Sequence, residues 1–384
     1  MPATVNLNRK DFLRLLAAAA AAPGWRAAQA AQAGRTPTKT EQFLQRVMTD
    51  VSTAWLGANS YIGDRLGLFQ AMAAAGPVTA AELAGKTRLN ARLLREWLNA
   101  MAFGGYIEYQ PAGKKYYLPP EHAAVLADEE SPVFAGGSLE MVAPMVAAAN
   151  QVVESLRTGK PIAIDSRPPE LFEAMERTSA PAFKHRLAPE WIAAMPEVEK
   201  KLRDGGMAVD VGCGRGMASM VLARAFPKSR FFGYDPHKPS IQRARANART
   251  AGLAGRVEFV ASDSSRLPPG RFDLVTVFNS VHHFDDPVGL LGACRKSLAP
   301  GGACFFNEPA LSEKVEENLG AGPMNAYAAT TLWCLHDSMA NHGAGIGADT
   351  SEPLMRELAG KAGFRQFRKL GISNRREAFY ELKA

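Results

Sequence analysis

Residues 208–219, AVDVGCGRGMAS, join an apolar strand pattern to an acid and three glycines at alternate positions. A glycine turn between a strand and a helix is typical of nucleotide binding. The spacing of Gly212, Gly214 and Gly216 is G-x-G-x-G, and Met217 stands where a dinucleotide fingerprint has its third glycine. The G-K-[ST] of a phosphate loop is absent as well. The turn therefore predicts a nucleotide ligand of another kind.

Acidic residues follow three successive predicted strands of this region. Asp210 comes just before the glycine turn, where it would repel a pyrophosphate but attract a cation. Asp235 ends the next strand, where a carboxylate can accept hydrogen bonds from ribose hydroxyls. Asp263, followed by Ser264, comes after the third strand and offers an acceptor to an adenine amino group. S-adenosylmethionine (SAM) carries an ammonium group and no phosphate, so this pattern favours SAM.

Strand and helix patterns alternate from Gly206 onward, which predicts an α/β fold with a parallel doubly wound sheet. Two strand-like runs at residues 364–372 and 377–382 indicate an antiparallel hairpin at its edge. The predicted strands of the parallel part are residues 207–211, 231–234, 257–261, 274–279 and 303–307.

Several of these motifs resemble those of class I SAM-dependent methyltransferases. The motifs are VDVGCGRG, GYDPH, ASDSSRLP, FDLVTVFNSVHHFDDP and LAPGGACFFNEP, and stretches such as YIGDRLGLFQAM and REWLNAMAFGGYIEY resemble a bacterial subgroup with an N-terminal winged-helix domain. The resemblance covers about residue 40 to the end of the sequence. It implies a Rossmann-like seven-stranded sheet, SAM as methyl donor with S-adenosylhomocysteine as product, and a homodimer. Carried over by position, Asp210 and the three glycines hold the methionine end, Asp235 the ribose and Asp263 the adenine.

The segment FNSVHHFDDP supplies the candidate catalytic residues. Asn279 ends the fourth strand at the switch-point crevice, where ligands bind in such sheets, so it is also a candidate for cofactor binding. His282 or His283 could remove a proton from a hydroxyl acceptor, or both could simply shape the loop. Glu308, at the end of the fifth strand, faces the same crevice, with its role left open. The acceptor is expected to be a small molecule, methylated at oxygen or carbon.

A winged-helix pattern precedes the sheet region. Thr79 with Glu82 predicts a capping box, and Asn90 predicts the cap of a second helix with an apolar face of Leu93, Leu94, Trp97, Leu98 and Met101. Between residues 48 and 130, seven Lys/Arg stand against nine Asp/Glu, so no basic face for DNA is indicated. We therefore expect a dimerisation domain. The alternatives are a SAM-sensing transcription regulator and a SAM-binding protein of this fold that does not methylate.

Four segments are predicted. Residues 1–37 are a leader, residues 38–130 the helical winged-helix domain, residues 131–205 a helical bridge that lines the substrate cavity, and residues 206–384 the SAM-binding domain, with a helical insertion at about 311–350. The leader has the order of a secretory signal, and residues 8–13 resemble a twin-arginine export signal with Lys10 in place of the second arginine. Export to the periplasm is predicted on this basis, with the cytoplasm as the alternative.

Composition limits the remaining possibilities. The net charge is +7, but six basic residues and one acid lie within residues 1–39, so the rest is nearly neutral and predicts no nucleic-acid partner. No stretch approaches the ~20 apolar residues that a membrane-spanning helix needs. The four cysteines form no CxxC and have no zinc-type spacing, so no metal site is predicted. Aromatic residues at helical spacing, such as Trp191 and Trp333, either line an apolar pocket or belong to the core.

Overall fold

A computed structural model describes residues 36–374 and 376–384. By its internal contacts the chain divides into two compact units, which meet in sequence at Ala143 and Pro144. The predicted leader lies almost wholly outside the described residues. Among the helices that are described, none is both long and apolar enough to cross a membrane.

The first unit is helical with one small hairpin. Its elements are α1 (Lys39–Arg65), α2 (Leu68–Ala75), α3 (Ala80–Thr87), α4 (Ala91–Phe103), β1 (Glu108–Gln110), β2 (Lys115–Tyr117), α5 (Pro120–Leu126) and α6 (Gly136–Ala147), the last of which contains the division. Strands β1 and β2 pair antiparallel, and Val78 forms an additional bridge to Tyr116. Two helices followed by a hairpin form the predicted winged helix.

Both predicted helix caps in this unit are confirmed. The Thr79 hydroxyl accepts from the Glu82 N–H at 3.2 Å, and the Glu82 carboxylate accepts from the Thr79 N–H at 2.7 Å. The Asn90 side chain accepts from the N–H groups of residues 92 and 93. The apolar face of α4 is buried as predicted except at Leu93, which is 71% exposed, because it lies one position outside the stripe that faces the core.

The second unit begins with helices and continues into the sheet. Before the sheet lie α7 (Ala149–Thr158), α8 (Pro169–Ala182), a π-helical stretch (Phe183–Ile192) and α9 (Pro196–Asp204). The sheet region contains β3 (Met207–Val211), α10 (Met217–Ala225), β4 (Arg230–Asp235), α11 (Lys238–Thr250), β5 (Val257–Ala261), β6 (Phe272–Phe278), α12 (Pro287–Ser297) and β7 (Leu298–Pro309). Then follow α13 (Ala321–Ala329), a π-helical stretch (Thr330–Cys334), α14 (Leu335–Ser338), α15 (Glu352–Lys361), β8 (Gln366–Lys369) and β9 (Glu377–Lys383).

The sheet has seven strands in the order β5-β4-β3-β6-β7-β9-β8. Strands β3 to β7 are parallel, while β9 pairs antiparallel with both β7 and β8. The chain starts at β3, moves outward to β5 and returns to β6 on the other side of β3. The carboxyl ends of β3 and β6 therefore border the crevice in which ligands of such sheets bind. The predicted fold class is confirmed.

Successive side chains of the central strands enter two different apolar layers. Ala208, Phe231 and Leu274 belong to one buried cluster, and their chain neighbours Val209 and Phe232 belong to another. Because side chains alternate across a strand, the two clusters lie on the two faces of the sheet, each covered by helices. Burial on both faces explains why these strands are apolar throughout.

Candidate active site

The glycine turn after β3 is a left-handed backbone segment. Gly212, Gly214 and Gly216 have φ values of +72°, +51° and +85°, a region that side chains other than glycine rarely enter. The Gly212 N–H donates to the Tyr234 carbonyl at 2.8 Å, which ties the turn to the neighbouring strand. A Cβ at Gly216 would stand 2.3 Å from the Phe259 ring, whereas a Cβ at Gly214 would meet no atom within 4 Å. The turn is therefore packed at its helix end and open at its middle.

Asp210 is buried at the carboxyl end of β3. The Thr276 hydroxyl donates to its Oδ1 at 2.7 Å. Burial raises the pKa of Asp210 to about 7; the Thr276 hydrogen bond opposes this shift and the nearby Asp235 charge adds to it. A cation that binds beside this buried carboxyl group would stabilise its ionised form.

Asp235 anchors the glycine turn through its side chain. Its Oδ2 accepts from the Gly214 N–H at 2.9 Å, and its Oδ1 accepts from the His237 N–H at 2.8 Å. Burial raises the pKa of Asp235, and these two hydrogen bonds partly offset the shift. Each carboxylate oxygen has two lone pairs, so both can still accept from a ligand hydroxyl.

Asp263 and Ser264 lie at the end of β5, in the turn that begins a short 3-10 helix (Ser264–Arg266). Asp263 is exposed and accepts from the Ser265 N–H at 2.8 Å, and hydrogen bonds with Ser265 lower its pKa. Asp263 therefore caps the 3-10 helix with its Oδ1, and its Oδ2 is left to accept from a ligand.

Asn279 directly follows β6 and has a left-handed conformation. Its φ is +46°, which is uncommon for a residue other than glycine, although asparagine tolerates it better than most. Its N–H lies 3.0 Å from the Asn307 carbonyl oxygen and 3.1 Å from the Asn307 side-chain oxygen. This bend leads from the strand directly into the 3-10 turn Val281–His283.

His282 is buried and paired with a buried carboxylate. Its Nδ1 is hydrogen-bonded to Oε2 of Glu308, which is fully buried at the end of β7. The other Glu308 oxygen accepts from the Val281 N–H at 2.8 Å, so the carboxylate is held from two directions. Burial by itself lowers the pKa of His282, but the Glu308 charge together with hydrogen bonds with Glu308 and Cys334 outweighs burial, and the pKa is raised. The role of Glu308 was left open by the sequence, and the structure shows it as a hydrogen-bond partner of His282.

His283 faces residues from the segment after β7. Its Nδ1 lies 2.9 Å from Asp337 Oδ2, and its ring meets the Trp333 ring edge-on at 5.3 Å between centroids. Burial by itself lowers the pKa of His283, but the Cys334 and Asp337 charges raise it to about 10. In return, and against the effect of burial, the two histidines lower the pKa of Cys334. His283 and Cys334 therefore each favour the charged form of the other.

The sequence did not single out Cys334 or Asp337. Both lie in residues 330–338, more than forty positions after the histidines, in the helical segment expected as an insertion. Arg167 contacts this segment twice. It donates to the Leu332 carbonyl at 3.1 Å, and its guanidinium lies over the Trp333 ring. Trp191, by contrast, is a core residue, packed against Phe278 and Phe379.

Two family models match this chain. Residues 209–304 match a methyltransferase domain, and residues 54–128 match an Rv2258c-like winged HTH domain. The ubiquinone biosynthesis O-methyltransferase of Ralstonia nicotianae is 35% identical over 104 residues, which is 27% of this chain and 43% of that protein. The trans-aconitate 2-methyltransferase of Streptomyces avermitilis is 30% identical over 128 residues, 33% of this chain and 46% of that protein. The chain thus spans less than half the length of these curated relatives.

Solved structures extend the likeness over nearly the whole chain. Mitomycin 7-O-methyltransferase MmcR has a TM-score of 0.65 at 20% identity, covering 91% of this chain and 100% of that chain. Human N-acetylserotonin methyltransferase, solved in complex with SAM, has a TM-score of 0.64 at 18% identity, covering 91% and 98%. At such identities the likeness concerns the fold. The chain therefore has the fold of class I methyltransferases, with a match to a methyltransferase domain at residues 209–304 that is preceded by a match to an Rv2258c-like winged HTH domain at residues 54–128.

Proposed function

We propose that the chain is a SAM-dependent methyltransferase that acts on a hydroxyl group of a small molecule. The observation that carries this proposal is the glycine turn: it is left-handed, open at Gly214 and bordered by the buried carboxyl group of Asp210 and the half-buried carboxyl group of Asp235. The relatives named as O-methyltransferases favour oxygen over carbon as the acceptor atom.

The residues present fit SAM. The space beside Gly214 admits the ligand close to the backbone, and Asp210 would bind the ammonium group at the methionine end, together with the turn formed by Gly212, Gly214 and Gly216. Asp235 would accept from the ribose hydroxyls. Asp263, with Ser264, would meet the adenine amino group. When bound, SAM supplies an electrophilic methyl group on its sulfonium sulfur.

On the acceptor side, His282 would take the proton of the hydroxyl group. Its Nδ1 is committed to Glu308, so Nε2, which lies beside Cys334, is the nitrogen left to accept a proton from a substrate hydroxyl. Glu308 is a positioning residue: it orients the ring and stabilises the imidazolium that forms. His283 is already paired with Asp337 and Cys334, which suits it to positioning and charge balance rather than to base catalysis. The left-handed bend at Asn279 comes directly after β6 and just before both histidines, which supports their position at the crevice.

Binding of the cofactor tests the proposal directly. We would titrate SAM and S-adenosylhomocysteine into the protein by calorimetry, with Asp235→Ala as the variant and Asp204→Ala, at an exposed surface site, as the matched control. Both ligands should bind the parent and the control alike, and Asp235→Ala should weaken binding by more than about tenfold, or ~1.4 kcal/mol. Absence of binding by the folded parent would refute the proposal.

For the winged-helix domain we propose self-association rather than DNA binding. Helix α1 exposes Phe43, Trp55 and Ile62 at 70%, 67% and 44%. Trp55 and Ile62, seven positions apart, lie on one face of this helix, and large apolar side chains exposed on one face typically mark a protein interface. On α4, the helix that would read DNA, Arg92 forms an ion pair with Glu96.

We further propose that residues 8–33 direct export. The basic start and the apolar, alanine-rich run support this. Fusion of residues 1–37 to a reporter that is active only in the periplasm tests the proposal, and a silent reporter would refute it.

A further inference from the structure

Three soft-metal ligands meet at the carboxyl end of β6. His282 and His283 come from the 3-10 turn after that strand, and Cys334 ends the π-helical stretch Thr330–Cys334. One ligand atom from each of the three residues lies within 4.8 Å of the other two. His282 is buried and the other two are half-buried. Small rotations of the side chains would bring these atoms onto a common ion.

The kinds of ligand atom select the ion. One cysteine sulfur with two imidazole nitrogens suits zinc rather than magnesium or calcium, which prefer oxygen. Three protein ligands leave the fourth tetrahedral position to water or a substrate.

Each histidine has a carboxylate on the ring nitrogen that a metal would not use. Glu308 binds Nδ1 of His282, and Asp337 binds Nδ1 of His283 at 2.9 Å. Both rings therefore keep Nε2 for an ion. Histidine ligands of metals almost always show this carboxylate–histidine arrangement, because it sets the tautomer and the ring direction.

The supporting groups are fixed before any ion arrives. Glu308 is fully buried and also accepts from the Val281 N–H. The His282 and His283 rings lie 4.3 Å apart between centroids, and Trp333 packs against the second ring. Asp337 Oδ1 is buried and has no hydrogen-bond partner among the described residues, so this carboxylate gains from additional positive charge nearby.

We propose that His282, His283 and Cys334 bind one zinc ion. This departs from the sequence prediction of no metal site, because the fold brings Cys334 to histidines distant in sequence. Binding of the ion needs only these side chains. Its consequence for catalysis rests on the proposed function: an ion on Nε2 of His282 occupies the nitrogen that would take the acceptor's proton, so zinc should inhibit methyl transfer.

The direct test is metal binding by the full chain, stripped of metal and titrated with Zn²⁺ against a chromogenic chelator. The parent should bind one equivalent. Cys334→Ser should lose tight binding, and Asp337→Asn should weaken it by about 10- to 100-fold. His342→Asn, an exposed histidine in the same segment, is the matched control and should bind as the parent does. Stoichiometric binding that Cys334→Ser leaves unchanged would overturn the proposal, as would no binding by the parent.

A second readout identifies the ligands. Co²⁺ in place of Zn²⁺ should give a thiolate-to-cobalt charge-transfer band that is absent in Cys334→Ser, and a spectrum without this band in the parent would contradict the assignment. S-adenosylhomocysteine binding by Cys334→Ser shows that the variant is folded. If the parent binds zinc but not S-adenosylhomocysteine, the proposed function fails and the metal site stands.

Discussion

The affinity for SAM should depend on the protonation of Asp210. Burial gives this carboxyl group a pKa of about 7 in the free protein, and the proposed partner is the ammonium group of SAM. Only the ionised carboxylate attracts that ammonium group strongly. Lowering the pH through this pKa should therefore weaken binding, because the ligand must then compete with a proton.

The size of the effect follows from the pKa. About one-tenth of the Asp210 side chains are ionised near pH 6 and about nine-tenths near pH 8, so the affinity should rise about tenfold between these values. The same raised pKa makes the free energy of unfolding change with pH in the opposite direction to the SAM affinity. The unfolded state holds the proton less tightly, so the free energy of unfolding is highest below the unfolded pKa and falls as the pH rises through about 7.

Calorimetry across this pH range measures the affinity, and Asp210→Asn provides the comparison. The variant should bind more weakly near pH 8 and should show a flatter pH profile, since the amide does not titrate. Asp204→Asn, an exposed site, should keep the parent profile. A tenfold pH dependence that persists in Asp210→Asn would refute the reasoning and would point to Asp235, whose pKa is also raised. A parent affinity that is constant from pH 6 to pH 8 would refute it as well.

Three further perturbations test the glycine turn, the acceptor side and the interface. Gly216→Ala places a Cβ 2.3 Å from the Phe259 ring at a positive φ, so it should lower the free energy of unfolding by about 1–3 kcal/mol in urea denaturation. Gly292→Ala is the control and should not lower it, because the space around Gly292 is open. Equal effects of the two substitutions would contradict the packing argument. Glu308→Gln should lower kcat by about 10²- to 10⁴-fold once an acceptor is known, while SAM binding measured by calorimetry stays as in the parent; an unchanged kcat would remove the carboxylate from the mechanism. Trp55→Glu on α1 should convert a dimer into a monomer in sedimentation experiments, and a parent that is already monomeric would disprove the interface.

Much of the fold was predictable because its signals are local. The strand at residues 207–211 and the caps at Thr79 and Asn90 depend on neighbours within a few positions, and the structure has them where the pattern indicates. Leu93 shows the limit of such signals. An apolar residue at the border of a helical stripe satisfies the periodicity equally well inside or outside the core, and only packing decides its exposure.

The site was predictable in part for the same reason. Asp210 and Asp235 stand at strand ends and His282 stands in the turn that follows one, and the carboxyl ends of parallel strands meet at one edge of the sheet. The pairing of His282 with Glu308 joins the ends of two adjacent strands, which the topology explains. Cys334 and Asp337 come from helices whose position over the sheet has no periodic signature, so neither could be assigned to the histidines from sequence.

The position of β9 has a consequence for synthesis on the ribosome. This strand lies between β7 and β8, so β7 keeps an unpaired edge until residues up to Lys383 have left the exit tunnel. The whole segment from α13 to β8 is made during that delay. An open apolar edge strand is a template for pairing with other chains, so nascent copies on one messenger should depend on chaperones until the sheet closes. The winged-helix unit is made first and faces no such delay.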